Sequence, residues 1–117
     1  FAIDQKIPSC FFVGLGALKN CELGFYHLHK KEYDKKHFHD EAELLNITGN
    51  ISWFDGKPIV HSHVTLGNDK FEAYGGHLFE GEVAVTVEIH LTIFDEKVQR
   101  AFRPDIGLNL LSFCKIK

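Results

Sequence analysis

Cysteine is scarce in this chain, and what there is cannot form a framework. Cys10, Cys21 and Cys114 are odd in number, far apart, and include no Cys-x-x-Cys pair, which argues against a disulfide lattice and against a thiolate zinc site. They read as buried thiols behaving as small hydrophobes, in a reducing, cytoplasmic setting. Long apolar runs are missing too. Stretches such as Cys10 to Val13 are far too short for a membrane span or a signal-peptide core, so no membrane partner is expected. A basic surplus is also absent: 13 Lys plus Arg stand against 16 Asp plus Glu, a net charge of -3. The electrostatic footprint of a protein that grips nucleic-acid phosphates is therefore lacking. Methionine does not occur at all, and Phe1 is expected to be a processed or trimmed start.

What remains is a chain of 117 residues, the size of one domain with a real core, so residues 1–117 are read as a single unit. Most of it carries the period-two pattern of strands. Cys10 to Val13 fits a short buried strand, and Gly14-x-Gly16 fits a tight turn or bulge better than a phosphate loop, because the third glycine of that fingerprint is missing. From Glu43 to Phe54, Leu45, Ile47, Ile51 and Trp53 share one parity and polar residues take the other. Asp55-Gly56 then signals a hairpin. Ile59 to Leu66 is the returning strand, and Phe71 to Tyr74 a short partner beyond a turn at Gly67 to Lys70. Val83 to Ile93 alternates most cleanly, with six aliphatic residues on one face, and Leu108 to Ile116 reads as a last strand. Phe1 to Lys6 is expected to be the tail of a helix and Glu96 to Phe102 a helical turn. His27 to Asp40, with mutually cancelling lysines and acids, reads as a solvated connection between strands. The class is α+β: a predominantly antiparallel sheet with one or two short helices.

Within this frame one stretch carries chemistry. His61 and His63 lie two apart on the Ile59 to Leu66 strand, so both imidazoles point the same way. The turn after them brings back His77, just past Gly75-Gly76. Three convergent imidazoles suit a divalent metal with an open coordination position, zinc above all. Spacing alone equally fits hydrogen-bonded polar residues, since His27/His29 and His37/His39 show it too.

Six segments, in order, then point to a family: Gly14 to Leu18, Glu43 to Ser52, Asp55-Gly56-Lys57-Pro58, His61 to Leu66, Gly75-Gly76-His77-Leu78 and Thr86 to Ile89. Across nearly its whole length the chain resembles the PPC domain, conserved in plants and prokaryotes, in its stand-alone prokaryotic form without an AT-hook. The resemblance implies a compact α+β domain, usually a homotrimer, with a metal held by the residues that are here His61, His63 and His77. It also implies that the family's opening strand and part of its first helix precede Phe1. Where plant members have a Gly-Arg-Phe-Glu-Ile-Leu partner-binding segment, this chain has Asp40-Glu41-Ala42-Glu43-Leu44-Leu45, keeping only Glu43 of its polar pair.

Two functions follow as expectations. The first is a homotrimeric metal-binding module with a DNA-binding or transcription-associated role, DNA being a partner the charge does not support. The second is a zinc-dependent hydrolase or lyase that polarises a small oxygenated substrate, with Glu88 and Glu43 as candidate general bases. The family's fold is similar to that of alpha-acetolactate decarboxylase, a histidine-ligated zinc enzyme, which lends this second reading its analogy.

Overall fold

The computed structural model describes residues 1–113; Cys114 and the end of the expected last strand lie outside them. The chain forms seven strands: β1 (Ser9–His27), β2 (Glu32–Phe38), β3 (Ala42–Phe54), β4 (Lys57–Gly67), β5 (Ala73–Phe94), β6 (Gln99–Arg103) and β7 (Leu108–Ser112). Their order is β2-β1-β5-β4-β3-β6-β7, and a further antiparallel pairing of β1 with β3 closes β1, β5, β4 and β3 into a ring. Inside the ring lie Cys10, Phe12, Leu18, Leu44, Ile47, Ile51, Val64 and Leu66. Burial of such side chains is the main favourable term in forming it. Cys10 and Cys21 are buried free thiols.

No helix occurs among the described residues, which corrects the expected helical component. Phe1 to Lys6 makes one hydrogen-bonded turn, with Gln5 N–H donating to the Phe1 carbonyl and Ile7 N–H to that of Ala2. Lys6 then turns left-handed at φ 54°, and one turn cannot repay helix nucleation. The Glu96 to Phe102 stretch enters β6 because its backbone is claimed elsewhere. Trp53 N–H donates to the Val98 carbonyl, Val98 N–H to Ser9 Oγ at 2.6 Å, and Gln99 to Arg103 pair with β7.

Three further expectations are refined. The polar connection from His27 to Asp40 holds β2, an antiparallel edge strand on β1; its charges leave backbone pairing intact while discouraging further strand addition at the edge. Leu45 is exposed while Leu44 is buried, because a register shift between Leu44 and Asn46 flips the parity read from the sequence. The two strands expected on either side of Gly75-Gly76 are one 22-residue strand, β5. It passes through the glycines because a Cβ at Gly75 would meet the Val64 carbonyl oxygen and one at Gly76 would lie 2.8 Å from that of Gly24. Cys10 to Val13 opens the 19-residue β1 rather than a short strand, while the hairpin and bulge signals hold. Asp55 and Gly56 both have positive φ, 50° and 72°, as a two-residue type I′ hairpin requires, and the ladder shifts between Gly14 and Gly16.

The clean aliphatic alternation along β5 does not produce a core face in the single chain. Val87 and Leu91 are half-buried, but Val83, Val85, Ile89 and Ile93 are exposed, Val85 to 81%. Phe11, Val13 and Leu15 on β1 are exposed as well.

Candidate metal centre

Alternation along β4 buries Ser62, Val64 and Leu66 and turns His61, His63 and Thr65 outward. In the β4–β5 ladder His63 is the direct partner of His77, so the third imidazole joins the other two through strand pairing. Ring centroids lie 5.1 Å apart for His61 and His63, 5.2 Å for His61 and His77, and 5.8 Å for His63 and His77. One nitrogen from each ring lies within 4.8 Å of those of the other two. Donors around one tetrahedral zinc, at about 2.0–2.1 Å from it, stand roughly 3.3 Å apart, so small side-chain rotations separate this cluster from a ligand set. In the other two-apart pairs the rings meet only each other among the described histidines, edge to face in His27/His29 and tilted in His37/His39.

The surroundings favour the neutral form of His61 and His77. Burial, reinforced by the positive charge of Arg100 and by the disfavoured protonation of neighbouring imidazoles at His77 and His63, lowers the His61 pKa from 6.5 to about 4. Burial, then His63 and Lys35, lowers that of His77. Neutral imidazole is the form that binds metal. His77 Nδ1 is buried and lacks a hydrogen-bond partner, a cost that coordination would remove. Three imidazole nitrogen donors, one of them orphaned, fit a borderline divalent ion such as zinc.

Arg100 is the residue that sequence reasoning missed at this site. From β6 it donates through Nε to Ser52 Oγ at 2.6 Å, through Nη1 to the Asn109 carbonyl at 2.8 Å, and through Nη2 to Asn50 Oδ1 at 3.0 Å. Its Nη2 also lies 3.5 Å from His61 Nδ1. The stretch around it reads as a helical turn in the sequence, which hid that alternation along a strand would point Arg100 toward β3 and β4. Tyr33 adds a wall, its ring centroid 5.1 Å from that of His77. A cleft of about 270 Å³ runs beside His61 and His77, bounded by Tyr33, Arg100 and Asn109 and by Ile59, Leu108 and Leu110.

The two candidate bases are not at this cleft. Glu43 pairs with Gly67 and Ala17 and lines a different hollow with Leu45 and Glu72. Glu88 pairs with Leu15 on β1, further along β5 than the short segment from Ala73 to His77 that pairs with β4. Neither is among the residues bordering His61.

The sequence pattern of the Plants and Prokaryotes Conserved (PCC) domain matches residues 1–95. Among solved structures, a plant- and prokaryote-conserved (PPC) protein of Pyrococcus horikoshii is 39% identical, with 99% of this chain and 80% of that chain covered at a TM-score of 0.89. A metal-containing protein of Archaeoglobus fulgidus is 38% identical over 97% of this chain and 80% of that one, TM-score 0.87. A supposed DNA-binding protein of Ralstonia eutropha is 36% identical over 97% and 78%, TM-score 0.89. None of the curated proteins matches the chain.

Proposed function

Because the chain belongs to the Plants and Prokaryotes Conserved domain family, we propose that it is a metal-binding module in which His61, His63 and His77 hold one divalent ion, zinc, within a homotrimer. The observation that carries this reading is the convergence of three imidazole nitrogens within 4.8 Å of one another. The orphaned Nδ1 of His77 and the metal-containing neighbour from Archaeoglobus fulgidus support it. An ion held by three neutral donors supplies Lewis acidity toward an oxygen at its open position. The chain's own residues supply the rest: β4 and β5 fix the imidazoles in register, and burial keeps those of His61 and His77 unprotonated. The homotrimer draws support from the aliphatic alternation of β5, which leaves Val83, Val85, Ile89 and Ile93 exposed in the single chain, since clustered exposed apolar side chains mark interaction surfaces. Protein dialysed without chelator should carry about one divalent ion per chain, measured by elemental analysis. Unchanged metal in the His61→Ala, His63→Ala, His77→Ala triple variant would refute the site.

A zinc-dependent hydrolase or lyase acting on a small oxygenated substrate is the second reading. The cleft beside His61 and His77 favours it, but neither Glu43 nor Glu88 borders that cleft, so within one chain binding is better supported than proton transfer. A DNA-associated role enters through neighbours such as the Ralstonia protein. With acids outnumbering bases, such a role for this chain runs through a partner, and duplex DNA should bind only at low salt.

A further inference from the structure

We infer that the cleft beside the three histidines is a subsite for a small hydroxycarboxylate, with Arg100 taking the carboxylate and Asn109 the hydroxyl. The inference deepens the metal reading and rests on it only for what meets the ligand's far end. The family pattern ends at residue 95, and both residues lie beyond it.

Arg100 carries five N–H donors in a fixed fork. Three are committed to Ser52, the Asn109 carbonyl and Asn50. Of the remaining two, the Nη2 hydrogen has only the long 3.5 Å approach to His61 Nδ1, and the second Nη1 hydrogen has no partner among the described residues. The three bonds lock the guanidinium in place, and burial lowers its pKa without removing its charge at any physiological pH. A positioned, partly desolvated guanidinium with free donors beside a cleft is suited to an oxyanion, and carboxylate matches its planar geometry.

Asn109 contributes the second signal. Its Oδ1 is buried without a hydrogen-bond partner, although the residue lines the same cleft. An amide oxygen can only accept, so it calls for a ligand group that donates, and a hydroxyl does so. This atom therefore selects against simple inorganic anions that bring acceptors alone. Apolar walls from Ile59, Leu108 and Leu110 suit a short carbon body. The volume, about 270 Å³, falls below the ~300–1,000 Å³ of drug-sized sites, so the ligand is small.

The hairpin that brings in Arg100 and Asn109 is anchored independently of any ligand. Tyr26 Oη donates to the Ile106 carbonyl at 2.6 Å, and Lys31 Nζ to that of Pro104 at 2.7 Å. The wall is thus preorganised, which lowers the ordering cost of binding.

The experiment is calorimetric titration of the protein with L-lactate and, separately, with uncharged lactamide, in metal-loaded and chelator-treated samples whose metal content is measured. Lactate should bind and lactamide should bind at least about tenfold more weakly, a difference expected for losing a charge-assisted pair. Asn109→Asp, which keeps side-chain size but sets a like charge against the ligand, and Arg100→Lys, which keeps the charge but loses the fork, should each weaken lactate at least about tenfold. Circular dichroism verifies that both variants fold. Equal affinity for lactate and lactamide, affinity unchanged in both folded variants, or no lactate binding by folded, metal-loaded protein would overturn the inference. Lactate binding through Arg100 in protein that never holds metal would uphold the subsite while refuting the metal reading.

Discussion

His63 and His77 are direct partners in the β4–β5 ladder, and their ring centroids stand 5.8 Å apart. Side chains facing each other across antiparallel strands share one face of the sheet. His61, two residues before His63 on that face, therefore completes the cluster without any loop having to position it. A site fixed by ladder register should be rigid, and its ligand affinity should not depend on loop ordering.

Metal should stabilise the folded chain through these residues. Zinc added to chelator-treated protein should raise its denaturant stability, by about 2.7 kcal/mol when free zinc is a hundredfold above its dissociation constant. In His77→Ala the added zinc should produce no comparable rise. Equal stabilisation of both proteins in parallel urea titrations would mean that the ion binds elsewhere.

Acid should weaken the metal-free protein. The folded-state pKa of His61 is depressed, to about 4 from 6.5, chiefly by burial, and that of His77 is depressed as well. Between those two pH values the unfolded chain takes up protons that the folded chain refuses, so stability rises with pH there. It should be fully present above about pH 6.5 and drain away as pH falls toward 4. His61→Gln should flatten that slope in urea titrations run across the range, and a slope unchanged by the substitution would show that other groups set it.

Two glycines should respond differently to alanine. At Gly56 a Cβ would meet nothing within 4 Å, so Gly56→Ala incurs only the strain of φ +72°, about 1–2 kcal/mol. At Gly75 the Cβ would collide with the Val64 carbonyl, an overpacking cost of about 1–3 kcal/mol or more that also pushes β5 away from β4. Gly75→Ala should therefore lower metal content as well as stability, while Gly56→Ala should lower stability alone. Elemental analysis of the two purified variants distinguishes these outcomes.

The exposed aliphatic face should matter to assembly more than to folding. Val85 is 81% exposed in the single chain, so Val85→Lys should change monomer stability by no more than about 0.5 kcal/mol. If β5 lies between protomers of the proposed homotrimer, the same change should dissociate it by burying an unpaired charge. Light scattering that shows an undisturbed assembly would move the interface away from β5.

Alternation, turn chemistry and the three histidines could all be read from the sequence, because period-two patterning and the Asp55-Gly56 hairpin are set within a few residues. That local reach identified β3, β4 and the metal-site candidates by number. It failed where the outcome depended on partners far along the chain. Glu96 to Phe102 has composition compatible with a helical turn, and only hydrogen bonds to Ser9, Trp53 and β7 make it a strand. The bulge at Leu45, the edge strand β2 and the exposed face of β5 were decided in the same way, by register and closure of the ring. So was the placement of Arg100 beside His61, thirty-nine residues apart in the chain. The sequence by itself determined which side chains could serve a metal. The tertiary structure decided which of them meet, and what stands beside them, because strand pairing joins residues by register rather than by their distance along the chain.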